Sequence, residues 1–188
     1  MEMADRIVRK LRRAFHEPGQ AHYLTYSCVN RWPLLAKERT CRWVVDAIEE
    51  ARRRHEFDLH AFVIMPEHVH LLIRPRHPEC NLDRILYDLK RPVSWKAKNW
   101  LIQHGNDDWI GRLSFRHGSR KVFRFWLAGG GFDRGVFRDL ALSQVVQYIH
   151  GNPVRRGLVA KPEDWIWSSA RFWGGMDGSP LKMDPIPV

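Results

Sequence analysis

Between Asp58 and Pro75 the chain reads DLHAFVIMPEHVHLLIRP, two apolar runs parted only by Pro66 and Glu67. Short runs rich in β-branched and aromatic residues, separated by turn formers, predict two strands joined by a tight turn. Along the second strand the side chains alternate, so Val69, Leu71 and Ile73 share one side while His68 and His70 share the other. The first set demands a core. The second places two imidazoles, good divalent-metal ligands, on one small patch. Spacing alone leaves two readings open: a metal pair, or two hydrogen-bonded histidines on a half-exposed strand. Two ligands are also too few for a closed structural zinc site, so a third must come from elsewhere in the chain.

The flanking segments predict what this hairpin packs against. AHYLTYSCVN, from Ala21 to Asn30, reads as an earlier strand, and Pro33 bars a helix until about Ala36. Thr40 to His55 places Val44, Val45, Ile48 and Ala51 at helical spacing, and the basic cluster Arg52, Arg53, Arg54 suits the negative end of that helix. A second helix is expected from the cap residue Asn81 to about His104, kinked or split at Pro92. Lys121 to Leu127 reads as a further strand, AGGGFDRG as a break, and Asp139 to His150 as a last helix ended by Pro153. Strands interleaved with helices, one pair joined directly, predict an α+β fold: a ferredoxin-like antiparallel sheet with packed helices.

The 188 residues suit one domain, expected over 21–173, with a basic arm at 1–20 and a tail at 174–188. The composition, 44% hydrophobic and 28% charged, is that of a globular chain. A formal net charge of +10, carried mostly by Arg, points to a polyanionic partner, against the plainer reading of a solubilising surface. Three cysteines without C-x-x-C spacing cannot form a complete disulfide framework, and neither a leader nor a membrane span is apparent; a cytoplasmic, nucleoid-associated protein is the expectation.

On the last helix Leu142, Val145, Val146 and Ile149 form the apolar face, while Gln144, Tyr148 and Asn152 recur at every fourth position on a displaced stripe. That stripe allows Tyr148 and Asn152 to share a functional edge. It equally allows Tyr148 to buttress the helix and Asn152 to close it before Pro153.

MPEHVH at 65–70 and YIHGNPV at 148–154 resemble the two signatures of the REP-associated tyrosine transposases, which belong with the single-tyrosine, HUH-type transposases. FWLAGGGFDRG before the tyrosine helix and GLVAKPEDWIWSSA after it extend the resemblance in the expected order. The resemblance implies an HUH endonuclease-type domain, Tyr148 as nucleophile, His68 and His70 as metal ligands with Asn152 as the third, and a divalent ion, Mg2+ or Mn2+. It implies cleavage and rejoining of single-stranded or hairpin-forming palindromic DNA through a 5′-phosphotyrosine; monomer and homodimer both stay open. Arg12, Arg13, Arg124, Trp126, Arg134, Arg155 and Arg156 are the candidate DNA contacts. Two alternatives remain: a nuclease using metal-activated water, and a non-catalytic nucleic-acid-binding regulator.

Overall fold

The computed structural model describes residues 20–129, 131–136 and 139–186. Four antiparallel strands form the main sheet in the order β2-β3-β1-β6: Ala21–Ser27 (β1), Phe57–Met65 (β2), His68–Pro75 (β3) and Phe132–Val136 (β6). Helix α1 (Glu38–His55) connects β1 to β2, Pro66 and Glu67 make the turn into β3, and α2 (Leu82–Gln103) leads toward β6. This is the ferredoxin-like arrangement expected from the sequence.

Alternation along the strands sorts the residues into two layers. Leu24, Tyr26, Phe62, Ile64, Val69, Leu71 and Ile73 meet α1 and α2, whose buried stripes include Val44, Ile48, Ala51, Ile85, Leu89 and Val93. Tyr23, Ala61, Val63, Met65 and Leu72 face the other way and are covered by α4 (Asp139–His150) through Leu142 and Ile149. Each fully buried aliphatic side chain in these layers stabilises the fold by about 1.5–3 kcal/mol before the cost of ordering the chain. The histidine pair lies on the α4 side.

Two expectations need correction. Helix α2 is not split at Pro92 but runs as one helix from Leu82 to Gln103; packing of Leu89, Val93 and Ala97 against the sheet and α1 outweighs the lost backbone hydrogen bond. The fourth strand of the main sheet is also not the segment 121–127. Arg120–Phe123 (β5) pairs instead with Ser114–His117 (β4), after the short helix Asp107–Arg112 (α3), as a separate hairpin. The edge strand is FDRGV, within the glycine-rich stretch read as a break. Gly131 explains why that stretch needs glycine. Its φ is +86°, and a Cβ there would lie 2.3 Å from the Thr25 carbonyl oxygen.

The opposite edge, β2, is closed by the chain beyond α4. The Ile64 amide donates to the Trp167 carbonyl, Val63 bridges Ser168, and the Phe62 amide donates to Ser169 Oγ. Further along, the Asp184 amide donates to the Leu59 carbonyl, while Leu181 and Met183 enter the core. Covering the edge removes a row of unpaired backbone groups that would otherwise template association. The segment DWIWSSA therefore has a structural task in the fold. Cys28, Cys41 and Cys80 are free thiols.

Candidate active site

In the central strand β3, His68 pairs with Ser27 on one side and Met65 on the other, and His70 with Thr25 and Val63. The even spacing puts both imidazoles on the α4 side, almost buried, at 8% and 5% exposure. Their Nε2 atoms approach to 2.9 Å with the rings nearly perpendicular. Two nitrogens each ~2.0–2.1 Å from a common ion, at right angles to each other, stand roughly 3 Å apart. This is the spacing of a hydrogen bond between the two rings, and equally that of two adjacent ligands of one ion.

Neighbouring hydroxyls fix the orientation of the His70 ring, and a carboxylate stands beside His68. His70 Nδ1 lies 2.7 Å from the Tyr23 hydroxyl and 2.8 Å from Thr25 Oγ1. A ring whose Nδ1–H donates to one of these oxygens presents an Nε2 lone pair to a cation. His68 Nδ1 lies 3.3 Å from Glu67 Oε1, without hydrogen-bond alignment, and that carboxylate accepts from Arg156 Nη1 at 2.7 Å. Burial pushes the His70 imidazole down to about 3, with His68 and Arg155 adding to the shift, and lowers His68 for the same first reason. Neutral imidazole is the form that binds metal, so the residues present fit a divalent ion.

Tyr148 stands at the rim, 49% exposed, with its ring edge-on to His70 at 5.9 Å and to Tyr23 at 6.1 Å between centroids. Arg155 lies 4.4 Å over the ring and donates from Nη2 to the Tyr148 carbonyl at 2.6 Å. Gly151 leaves room for this arrangement: a Cβ there would lie 2.6 Å from Arg155 Nη1 and 3.1 Å from the Gln147 carbonyl oxygen. The chain turns at Gly151 into the short helix Asn152–Arg155 (α5), so Asn152 does not continue the stripe of Gln144 and Tyr148. Buried at 7% exposure, its amide donates to the carbonyls of Tyr148 and Ile149. His150 anchors the same helix end to β2, its Nε2 lying 2.8 Å from Ser169 Oγ.

The remaining sequence candidates scatter. Arg155 and Arg156 join the site, the first against Tyr148 and the second through Glu67. Arg124 lies 5.6 Å from the Phe115 ring, away from the histidines in the β4–β5 region. Trp126 is an interior ring, 5% exposed, packed on Tyr26 and donating to the Lys90 carbonyl, which corrects its assignment as a surface for stacking bases. Arg134 pairs with Tyr23 across β1 and β6, but its side chain, like Arg12 and Arg13, lies outside the described residues. Sequence reasoning missed Tyr23, Thr25, Glu67 and the His150–Ser169 link. Tyr23 and Thr25 share a side of β1, but only the pairing of β1 with β3 brings them to His70. Among the described residues no three His, Cys, Asp or Glu side chains gather as a metal cluster, and no helix is long and apolar enough to cross a membrane.

Burial of these imidazoles has a consequence for stability. His150 is pushed down to about 4 by burial, and His60 is lowered likewise from the ordinary 6.5. In the unfolded chain they take up protons near pH 6.5; in the folded chain His150 resists until about pH 4, and burial makes His60 harder to protonate in the same direction. The unfolded state thus binds more protons across that window. Stability is fully present above 6.5 and is lost as the pH falls toward 4. Thermal melts of the metal-free protein should show Tm dropping by roughly 5 °C or more between about pH 7 and 5. A constant Tm would mean that the rings take up protons without cost.

The model of the family described as "Transposase IS200 like" matches residues 20–115, just over half the chain and inclusive of the histidine pair. The chain is 26% identical over 169 residues to a protein of Haemophilus influenzae named as a REP-associated tyrosine transposase, with 80% of this chain and 90% of that protein covered. It is 23% identical over 166 residues to the REP-associated tyrosine transposase of Escherichia coli, covering 84% and 80% respectively. Among solved structures, a REP-associated tyrosine transposase bound to a REP hairpin superposes with a TM-score of 0.66 at 18% identity, covering 94% of this chain and 93% of that one. That likeness extends the shared fold beyond the family match, through the tyrosine helix. The chain therefore belongs to the IS200-like transposase family, as an enzyme of the REP-associated tyrosine transposase type.

Proposed function

We propose that this transposase cleaves and rejoins single-stranded DNA beside a hairpin-forming palindrome, in the cytoplasm, using Tyr148 as nucleophile and a divalent ion, Mg2+ or Mn2+, held by His68 and His70. The observation that carries the reading is the convergence of two neutral imidazoles, Nε2 to Nε2 at 2.9 Å, with the half-exposed Tyr148 edge-on to His70. When bound, the ion supplies Lewis-acid polarisation of the scissile phosphate's nonbridging oxygens. His68 and His70 would hold the ion, and Asn152, whose Nδ2 is committed to the Tyr148 and Ile149 carbonyls, would offer its amide oxygen as the third ligand.

The protein's own groups do the rest. The Tyr148 hydroxyl gives up its proton to solvent as its oxygen attacks phosphorus in line; the new bond to phosphorus forms as the bond to the 3′-oxygen breaks, and the leaving oxygen takes up a proton from solvent. Arg155 keeps the ring against the site and puts a fixed positive charge beside the developing phosphodiester. Thr25 and Tyr23 hold His70, and Glu67 with Arg156 backs His68. The 5′-phosphotyrosine conserves the energy of the broken bond, so the free 3′-hydroxyl can reverse the attack and join strands. The hairpin bound by the structural relative supports palindromic DNA as substrate.

The test is incubation with an end-labelled hairpin oligonucleotide and Mn2+, followed by denaturation. Label retained on the protein, and lost with chelator, is expected. Cleavage to ordinary free ends with no protein-bound label would favour metal-activated water as the nucleophile.

A further inference from the structure

Helix α2 presents to solvent a ridge that neither the core nor the active site uses. Its buried side chains, Ile85, Leu89, Val93 and Ala97, fill the layer against the sheet. On the opposite pole, at intervals of three and four residues, stand Arg84, Tyr87, Arg91, Trp95, Lys98 and Ile102, all exposed. Tyr87 is 56% exposed and Trp95 65%, and the Arg91 guanidinium lies 5.7 Å from the Tyr87 ring centroid. Asp83, exposed in the first turn, flanks Arg84 at the N-terminal end of the ridge; from Arg91 to Ile102 the helix carries no acidic residue. Asp88, partly buried beside Tyr87, is occupied by His55 and Arg54.

Large exposed rings are costly in water unless something covers them, and here each ring has a base on either side along the helix. The three like charges oppose pairing of this ridge with a second copy of itself. They complement a polyanion with flat faces of its own. We propose that the α2 ridge is a second nucleic-acid contact, on which unpaired bases of single-stranded DNA stack on Tyr87 and Trp95 while Arg84, Arg91 and Lys98 meet the intervening phosphates.

The spacing suits this. At about 1.5 Å per residue, the two rings are ~12 Å apart and the outer bases ~21 Å apart, a span of several nucleotides and within the ~4–16 nucleotide sites of single-strand binders. Because α2 covers the sheet face opposite the histidines, the ridge cannot touch the reacting phosphate. It holds single strand that flanks the cleaved site. The proposal rests on the reading of the protein as a single-strand DNA enzyme, but it concerns a different surface.

The test uses the full chain carrying Tyr148→Phe, so that cleavage plays no part, and an oligothymidylate of about 20 nucleotides containing 5-iododeoxyuridine. Photo-crosslinks should map to Tyr87 and Trp95. Tyr87→Ala with Trp95→Ala should weaken binding at least about tenfold, Trp95→Phe should retain most of it, and Arg91→Glu should lower the salt slope of binding by about one. Circular dichroism checks that the variants fold. Unchanged affinity in the double variant, crosslinks confined to the histidine face, or ridge-dependent binding to phosphatidylglycerol vesicles with no effect on DNA would each overturn the proposal. If Tyr148 proves not to be the nucleophile while the crosslinks still fall on α2, the ridge stands and the catalytic reading alone falls.

Discussion

His70→Ala is expected to abolish Mn2+ binding and strand cleavage together while leaving the fold intact. Loss of an outer partner of a ligating histidine typically costs about 10–100-fold in metal affinity, so removal of the ligand itself should cost more than that. His68→Ala should behave alike, since the two Nε2 atoms sit on either side of one point. Titration calorimetry and the Mn2+ electron resonance signal read the affinity without reference to activity. Thr25→Val, which removes a hydroxyl beside His70 Nδ1, should give the smaller loss. Equal losses in all three variants would indicate collapse of the strand; unaltered Mn2+ affinity in His70→Ala would remove the metal assignment.

Tyr148→Phe should lower cleavage by on the order of 10³-fold or more, because deleting a covalent nucleophile removes the reaction path itself. Hairpin affinity should stay within about threefold of the parent, since the phenylalanine ring keeps its contacts with His70, Tyr23 and Arg155. Separation of binding from chemistry is the signature. Tyr23→Phe provides the internal comparison: this second tyrosine is buried, pushed up to about 12 chiefly by burial, and hydrogen-bonded to His70. It should retain the covalent product at reduced metal affinity. A Tyr23→Phe protein without adduct, beside a Tyr148→Phe protein that forms one, would exchange the roles of the two residues.

What could be read from the sequence follows the range of the interactions involved. The 57–75 hairpin, α1 and the apolar face of α4 are set by periodicities inside a single segment, and they stand as expected. Two features required long-range pairing. FDRGV became the fourth strand because β1 offers it a ladder, although its own Gly135 and the glycines before it argue against a strand, and 120–123 found a local partner in β4. Pro92 is tolerated because α2 is held along its length by the core.

The site divides in the same way. His68 and His70 converge because two is the period of a strand. Tyr148 lies beside them because α4 packs by Leu142 and Ile149 over the strands that carry them. Thr25, Tyr23 and Glu67 could not be singled out, since their chemistry depends on strand register and on a turn carboxylate facing back toward His68. The Asn152 stripe ended at Gly151, where the helix gives way and Arg155 folds back over the tyrosine.

The central claim is that Tyr148 becomes covalently joined to DNA. Trapping the adduct with Mn2+ and a hairpin oligonucleotide, digesting both protein and DNA, and locating the residual nucleotide by tandem mass spectrometry tests it directly. The account predicts a 5′-phosphonucleotide on Tyr148 and on no other residue. A modified Tyr23, or cleaved DNA with every tyrosine unmodified, would contradict it.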